Sequence, residues 1–265
     1  MRDAVAATPS TELVRVAATR YVVPLREGGS LPGIVEADDD GTYVLKFRGA
    51  GQGVKVLVAE IVVGELARAL GIPVPRLVLV DLAEQIARYE AHEEVQDLLT
   101  ASVGLNLGVD FLPGAFGYDG RRPPAAELAA RILWLDAMTA NVDRTWANPN
   151  LLVWHRETWA IDHGAALYFQ HGWPSRAPDP ARFADQPFDA SGHVLREVAA
   201  DPRALHDELA ATTRAHLPTV LDLAPDAWLE PTAELPDAGA VRAAYLEHVQ
   251  ARLERPDRWL PAVTR

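Results

Sequence analysis

The chain has 265 residues, enough for one large domain or two lobes, and 49% of them are hydrophobic, which excludes wholesale disorder. It contains no cysteine, which excludes a disulfide framework, a thiolate metal site and a cysteine nucleophile. A formal net charge of −12 argues against nucleic acid or an anionic membrane surface as a partner held by bulk electrostatics.

The opening stretch MRDAVAATPSTELVRVAATR lacks the apolar core of a signal peptide, and no apolar run approaches the ~18 residues of a membrane span, so a soluble cytoplasmic protein is expected. Residues 19–48 then alternate extended segments and turns: TRYVVPL reads as a strand, REGGSLPG as a glycine-rich turn, IVEA as a strand, DDDG as a tight acidic turn and TYVLKF as a third strand. RGAGQG connects to a helical pattern from about Val54 to Leu70 that stops at Gly71. IPVPRLVLVDL reads as a strand, residues 84–100 as a helix, and SVGLNLGVDFL as a further strand. From Pro123 the character changes: a helix rich in Ala and Leu over 125–140, a short hairpin of LLVW and TWAI, a proline-rich connector over 174–192, and a largely helical remainder at about 193–223 and 238–254. The expected fold class is α+β and bilobal, a β-rich N-lobe over 1–112 followed by a helical C-lobe over 113–265.

The span NVDRTWANPNLLVWHRETWAIDHG, residues 141–164, carries chemistry that an apolar hairpin does not need. Asp143 and Asn148 lie five apart on a loop, and a hairpin returns the chain so that Asp162 can face Asn148. An amide oxygen and a carboxylate are hard donors that suit Mg²⁺, which completes its shell with water and phosphate. Asp143 stands apart as a carboxylate able to accept a hydroxyl proton. This is the division of labour of the kinase template: an Asp, an Asn five residues later, and a second Asp before a glycine. The competing reading makes all three turn residues, chosen for local backbone reasons.

Only two lysines, Lys46 and Lys55, stand among 23 arginines. Lys46 shares a strand face with Val44, opposite Tyr43, Leu45 and Phe47. Glu60 interrupts the apolar stripe of Val56, Val63, Ala67 and Leu70 and so requires a buried partner. Glu65 is the rival acid, which Arg68 can satisfy at the surface. The pairing expected is Lys46 with Glu60, Lys46 contacting the α- and β-phosphates of ATP. The glycine-rich turn offers the backbone amides of Gly28, Gly29 and Ser30 as a phosphate cover.

TYVLKF, AEIVVGELARALGIPVP, NVDRTWANPNLLV and AIDHG together resemble the HipA-like serine/threonine kinases, and they are also similar to the catalytic core of the type II phosphatidylinositol 4-kinases. The resemblance runs from about Tyr21 to Phe169. It implies Asp143 as catalytic base, Asn148 and Asp162 as Mg²⁺ ligands, Lys46 on phosphate, Glu60 positioning Lys46, and Asp110, Phe111 and Leu112 as the hinge that meets adenine. It implies ATP and Mg²⁺ as cofactors, a protein Ser/Thr hydroxyl as acceptor, and Ser30 as a site of inhibitory autophosphorylation. Two departures stand out: Asn141-Val142-Asp143 replaces the usual His-Arg-Asp, and His163 replaces the usual Phe. Sibling readings are a small-molecule or lipid kinase of the same fold, and a pseudokinase that binds nucleotide without transfer.

Other signals fail on spacing. GAGQG at 49–53 lacks the third glycine of a dinucleotide site, since positions 54 and 56 are valine. His155, His163 and His171 match no zinc pattern, and no nucleophile elbow supports a serine hydrolase. Trp134, Trp146, Trp154 and Trp159 read as core of the second lobe.

Overall fold

The computed structural model describes residues 9–24, 32–51, 53–88 and 92–263. In chain order the elements are β1 (Arg15–Pro24), β2 (Gly33–Ala37), β3 (Thr42–Lys46), α1 (Val54–Ala69), β4 (Leu77–Leu82), α2 (Glu84–Arg88), α3 (Glu93–Ala101), β5 (Gly104–Asp110), β6 (Phe116–Gly117), α4 (Ala126–Thr139), β7 (Leu151–Trp154), β8 (Glu157–Ala160), α5 (Pro180–Asp185), α6 (His206–Asp222), α7 (Ala238–Leu253) and α8 (Pro256–Trp259). Two compact units result: Glu12–Leu57 with Pro75–Pro113, and Met1–Thr11 with Val58–Val74 and Gly114–Arg265. The helix carrying Glu60 therefore groups, from Val58 onward, with the helical unit.

The smaller unit is a closed barrel in the order β1-β2-β3-β5-β4, shut by parallel pairing of β1 with β4 in the register Arg15 to Leu79. Period-two alternation sends Tyr43, Leu45 and Phe47 inward, with Val44, Lys46 and Arg48 only partly buried. Gly108 on β5 is required by closeness: an added Cβ would sit 2.7 Å from the side chains of Val78 and Val80. Buried Tyr43 places its hydroxyl between Asp39, to which it donates at 2.7 Å, and Arg76, from which it accepts at 2.6 Å. Burial first, then the hydrogen bond to Asp39, pushes its phenol up to about 12.

The single helix expected over 84–100 is two helices. His92 has extended backbone (φ −88°, ψ 117°) at the start of α3, which interrupts the helical path. Ala87, Val95 and Leu99 nonetheless all join the barrel core. On the connector after β3, the amides of Arg48 and Gly49 donate to Asn106 Oδ1 and Ser102 Oγ, so its start is pinned to two buried side chains, one on β5 and one at the end of α3.

α1 is buried on nearly every face rather than along one stripe. It ends where Gly71 turns left-handed (φ 72°), with Ile72 N–H returning to Ala67 C=O at 2.9 Å. Glu65 is 0% exposed and its Arg68 partner 9%, at 3.3 Å, with Ser10 N–H donating to Glu65 at 2.8 Å. That pair is thus buried, not at the surface: a helix with no solvent face leaves position 65 nowhere else to go.

In the larger unit, α4 is a core helix; from Ile132 to Thr139 every residue is buried. It closes on Ala140 in the left-handed region (φ 54°) and hands the chain to the loop 141–150. β7 and β8 pair antiparallel with Leu151 opposite Ala160, and the two-residue β6 adds to β7. The proline-rich connector is ordered: Asp179 caps α5 by accepting from Arg182 N–H at 3.0 Å, and Phe183 is buried. The helix expected from 193 begins only at His206, because 193–201 is turns and Pro202–Leu205 a 3₁₀ turn. Among the described residues no helix is long and apolar enough to cross a membrane.

Candidate active site

The loop after α4 is built on a buried ionic network. Asp136, fully buried on α4, accepts from Arg144 Nε at 2.6 Å, from Asn141 Nδ2 at 2.8 Å, and has His193 Nε2 at 3.1 Å. Desolvation alone would raise its pKa; the Arg144 charge, with His193 beside it, outweighs that and holds the carboxyl below the usual carboxylate range. Arg144 also reaches the carbonyls of Asn150 and Ile161, and its Nη2 lies 3.4 Å from His163 Nδ1. One guanidinium therefore ties α4, the loop and both ends of the hairpin into one piece.

On this platform sit the polar groups that face water. Asp143 is half-buried, and Asn148 and Asp162 are exposed. Asn148 Nδ2 donates to Asp143 Oδ2 at 2.9 Å, and Asn150 Nδ2 lies 3.3 Å from the same oxygen. The carboxylate does not stand apart, as its sequence position suggests; it is held by two amides. Because a carboxylate only accepts, Asn148 must present its nitrogen to Asp143, which leaves its oxygen for a cation.

Ile161 N–H donates to Asn150 C=O at 3.0 Å, continuing the β7–β8 ladder by one rung. Asn148 and Asp162 therefore emerge at the same end of the hairpin. Asp162 has φ 55°, a left-handed conformation that costs a non-glycine residue about 1 kcal/mol or more and that clusters at functional positions. Among the described residues no group of three or more His, Asp or Glu side chains could hold a metal unaided. An amide oxygen and an exposed carboxylate fit a cation that keeps water and phosphate in its shell, as Mg²⁺ does.

The remaining candidates lie on other elements. Glu60 is 2% exposed on α1 and Lys46 is half-buried at the end of β3. At the proposed hinge, Asp110 N–H donates to Arg76 C=O and Phe111 N–H to Thr42 C=O, so both serve the barrel. Leu112 N–H has no backbone partner among the described residues. Gly28, Gly29 and Ser30 lie outside the described residues.

The sequence profile of the HipA-like kinases matches residues 20–261. The chain belongs to the HipA-like kinase family. Its fold is α+β and kinase-like, and it is a kinase by that membership. Loosely similar solved structures include the Helicobacter pylori proinflammatory kinase CtkA, at 11% identity over 95% of each chain with a TM-score of 0.48. A Golgi casein kinase with Mn/ADP bound is 15% identical over 93% of this chain and 74% of that one, with a TM-score of 0.44. No curated protein matches the chain.

Three features of this HipA-like kinase escape a reading of its sequence. Asp136 is the hub of the loop, and its signal is a lone acid in the otherwise apolar run ILWLDAM. His193, distant in sequence, carries no signal at all. Trp146 is not core: it is 59% exposed, lying against Tyr118 (centroids 6.1 Å, planes 24° apart) beside Gly120. Trp134 and Trp159 are buried as expected. His163 is buried against Arg144, while His155 is exposed and His171 half-buried.

Proposed function

We propose that the kinase transfers the γ-phosphate of ATP to a Ser or Thr hydroxyl of a protein, with Asp143 as the base. The observation that carries the reading is the contrast within one loop: Asn141, Arg144 and Asn150 are buried and bonded, and they hold up Asp143, Asn148 and Asp162, which keep oxygen atoms at the surface.

In the proposed reaction Asp143 Oδ accepts the acceptor's hydroxyl proton as the new O–P bond forms and the bond between the γ-phosphorus and the bridging oxygen breaks, releasing ADP. Asn148 Oδ1 and the Asp162 carboxylate would hold Mg²⁺, which supplies charge neutralisation on the phosphates. Lys46 would contact the α- and β-phosphates, Glu60 would position Lys46, and the N–H of Leu112 would serve as a donor to adenine.

The test is incubation with γ-labelled ATP and Mg²⁺. Wild type is expected to label itself or a protein of a cell lysate, and Asp143→Ala and Asp162→Asn to abolish labelling while retaining the wild-type unfolding midpoint. Asn tolerates the left-handed backbone, so the second change removes charge without adding strain. Labelling that survives both substitutions sinks the assignment.

A further inference from the structure

The larger unit contains a cleft of about 730 Å³ between the segment 168–186 and α7, and nothing in the phosphate chemistry above uses it. Its size lies in the range of ligand pockets. Its floor is aromatic. His248 stacks on Phe169 at 4.4 Å with planes 21° apart, Trp173 meets both at 5.4 and 5.6 Å, and Phe183 abuts Phe169 at 4.6 Å. His248 Nδ1 donates to Ala244 C=O, and burial draws its pKa below the ordinary value, so the ring joins the floor as a neutral face.

The rim carries two arginines, Arg176 and Arg182, and two aspartates, Asp179 and Asp185. Of its two acids, Asp179 is engaged as the cap of α5 and Asp185 is paired with Arg255 at 2.8 Å. Arg176 and Arg182 are exposed, and neither has an acidic side chain within ion-pair reach among the described residues. Behind the floor lies Arg252, fully buried, donating to the carbonyls of Ala137, Phe183 and Gln186, with its charge over the Phe183 ring at 4.6 Å. Desolvation pulls it down to about 9, so it stays cationic at neutral pH. On a protein of net charge −12, Arg176 and Arg182 stand exposed at the edge of this apolar floor.

The cleft also borders the residue from which the catalytic loop starts. Ala140 lines it, and three residues later the chain reaches Asp143. We propose that this cleft is the acceptor site, seating a polypeptide segment that lays an apolar side chain on the aromatic floor and sets acidic residues against Arg176 and Arg182. The inference rests on the reading of the chain as a protein kinase and adds to it a substrate class: acidic, apolar-anchored sequence around the phosphorylated hydroxyl.

The test uses arrays of degenerate Ser/Thr peptides, each with one fixed residue, and γ-labelled ATP. It compares wild type with the double variant Arg176→Glu/Arg182→Glu and with Arg121→Glu, an equal kind of charge change at an exposed arginine outside the cleft. Two exposed ion pairs predict that wild type labels peptides with fixed Asp or Glu about fivefold faster than those with fixed Lys or Arg. The double variant should lose or invert that preference with its unfolding midpoint unchanged, and Arg121→Glu should keep it. An equal preference in wild type and double variant, or a wild-type preference for basic peptides, overturns the proposal. Wild type that autophosphorylates but labels no peptide overturns it while the phosphotransferase reading stands. Wild type that binds no ATP overturns both.

Discussion

Two sets of polar residues alternate along a single loop, and they have opposite fates. Asn141, Arg144 and Asn150 point into the larger unit, where Asp136, His193 and main-chain carbonyls satisfy them. Asp143 and Asn148, interleaved with them, keep oxygen atoms at the surface. The inner set is a closed account of donors and acceptors, so it can only support; the outer set has spare acceptors, so it can bind and transfer. The same residue types do both jobs, and burial decides which.

The contrast can be broken from either side. The largest expected effect is on the outer set: Asp143→Ala should lower phosphotransfer by about 10²–10⁴-fold, the usual worth of a general base, while unfolding free energy changes by less than about 1 kcal/mol. A variant that loses stability and activity together would place Asp143 in the scaffold instead. On the inner set, Asp136→Ala should cost about 3–5 kcal/mol in denaturant unfolding, because Arg144 would be left buried without its charge partner. An unshifted midpoint would show that the network is not the support described here.

Acid sharpens the same distinction. The Asp136 carboxyl has a folded pKa below its ordinary 3.8, so its contribution is fully present above that value and is lost as pH falls through the lower, folded one. The stability gap between wild type and Asp136→Asn should therefore be flat from pH 7 to about 4 and narrow below it; a gap that widens on acidification contradicts the assignment. The smallest effect concerns the exposed tryptophan. Gly120 has φ 80°, and an added Cβ would lie 2.8 Å from Trp146, so Gly120→Ala should cost about 1–2 kcal/mol. Adding Trp146→Ala should recover the steric part, leaving only the backbone part in a double-mutant cycle.

What the sequence makes legible follows from the same physics. The strand faces around Tyr43, Leu45 and Phe47 are readable because one side of a strand meets the core and the other does not. The spacing from Asp143 to Asn148 is readable because it is local, and their contact at 2.9 Å is what a tight loop allows. Asp136 and Glu65 are hidden because helices buried on nearly all faces carry no amphipathic phase against which a polar residue stands out. His193 is hidden because its partner lies 57 residues away, and only the tertiary fold brings them together. The break at His92 escapes because 84–100 keeps its apolar positions across two helices as well as it would along one.

Closure of the barrel has a consequence for how the chain comes off the ribosome. β1, β2 and β3 can form a meander as soon as they emerge, but the strands that flank it, β4 and β5, are made only after α1, and the seam joining Arg15 to Leu79 waits for both. Until then β1 and β3 each present an open edge, the part of a sheet most prone to pair with the wrong chain. Co-translational protection of that nascent meander, rather than the stability of the finished barrel, is where expression of this kinase is most exposed to failure.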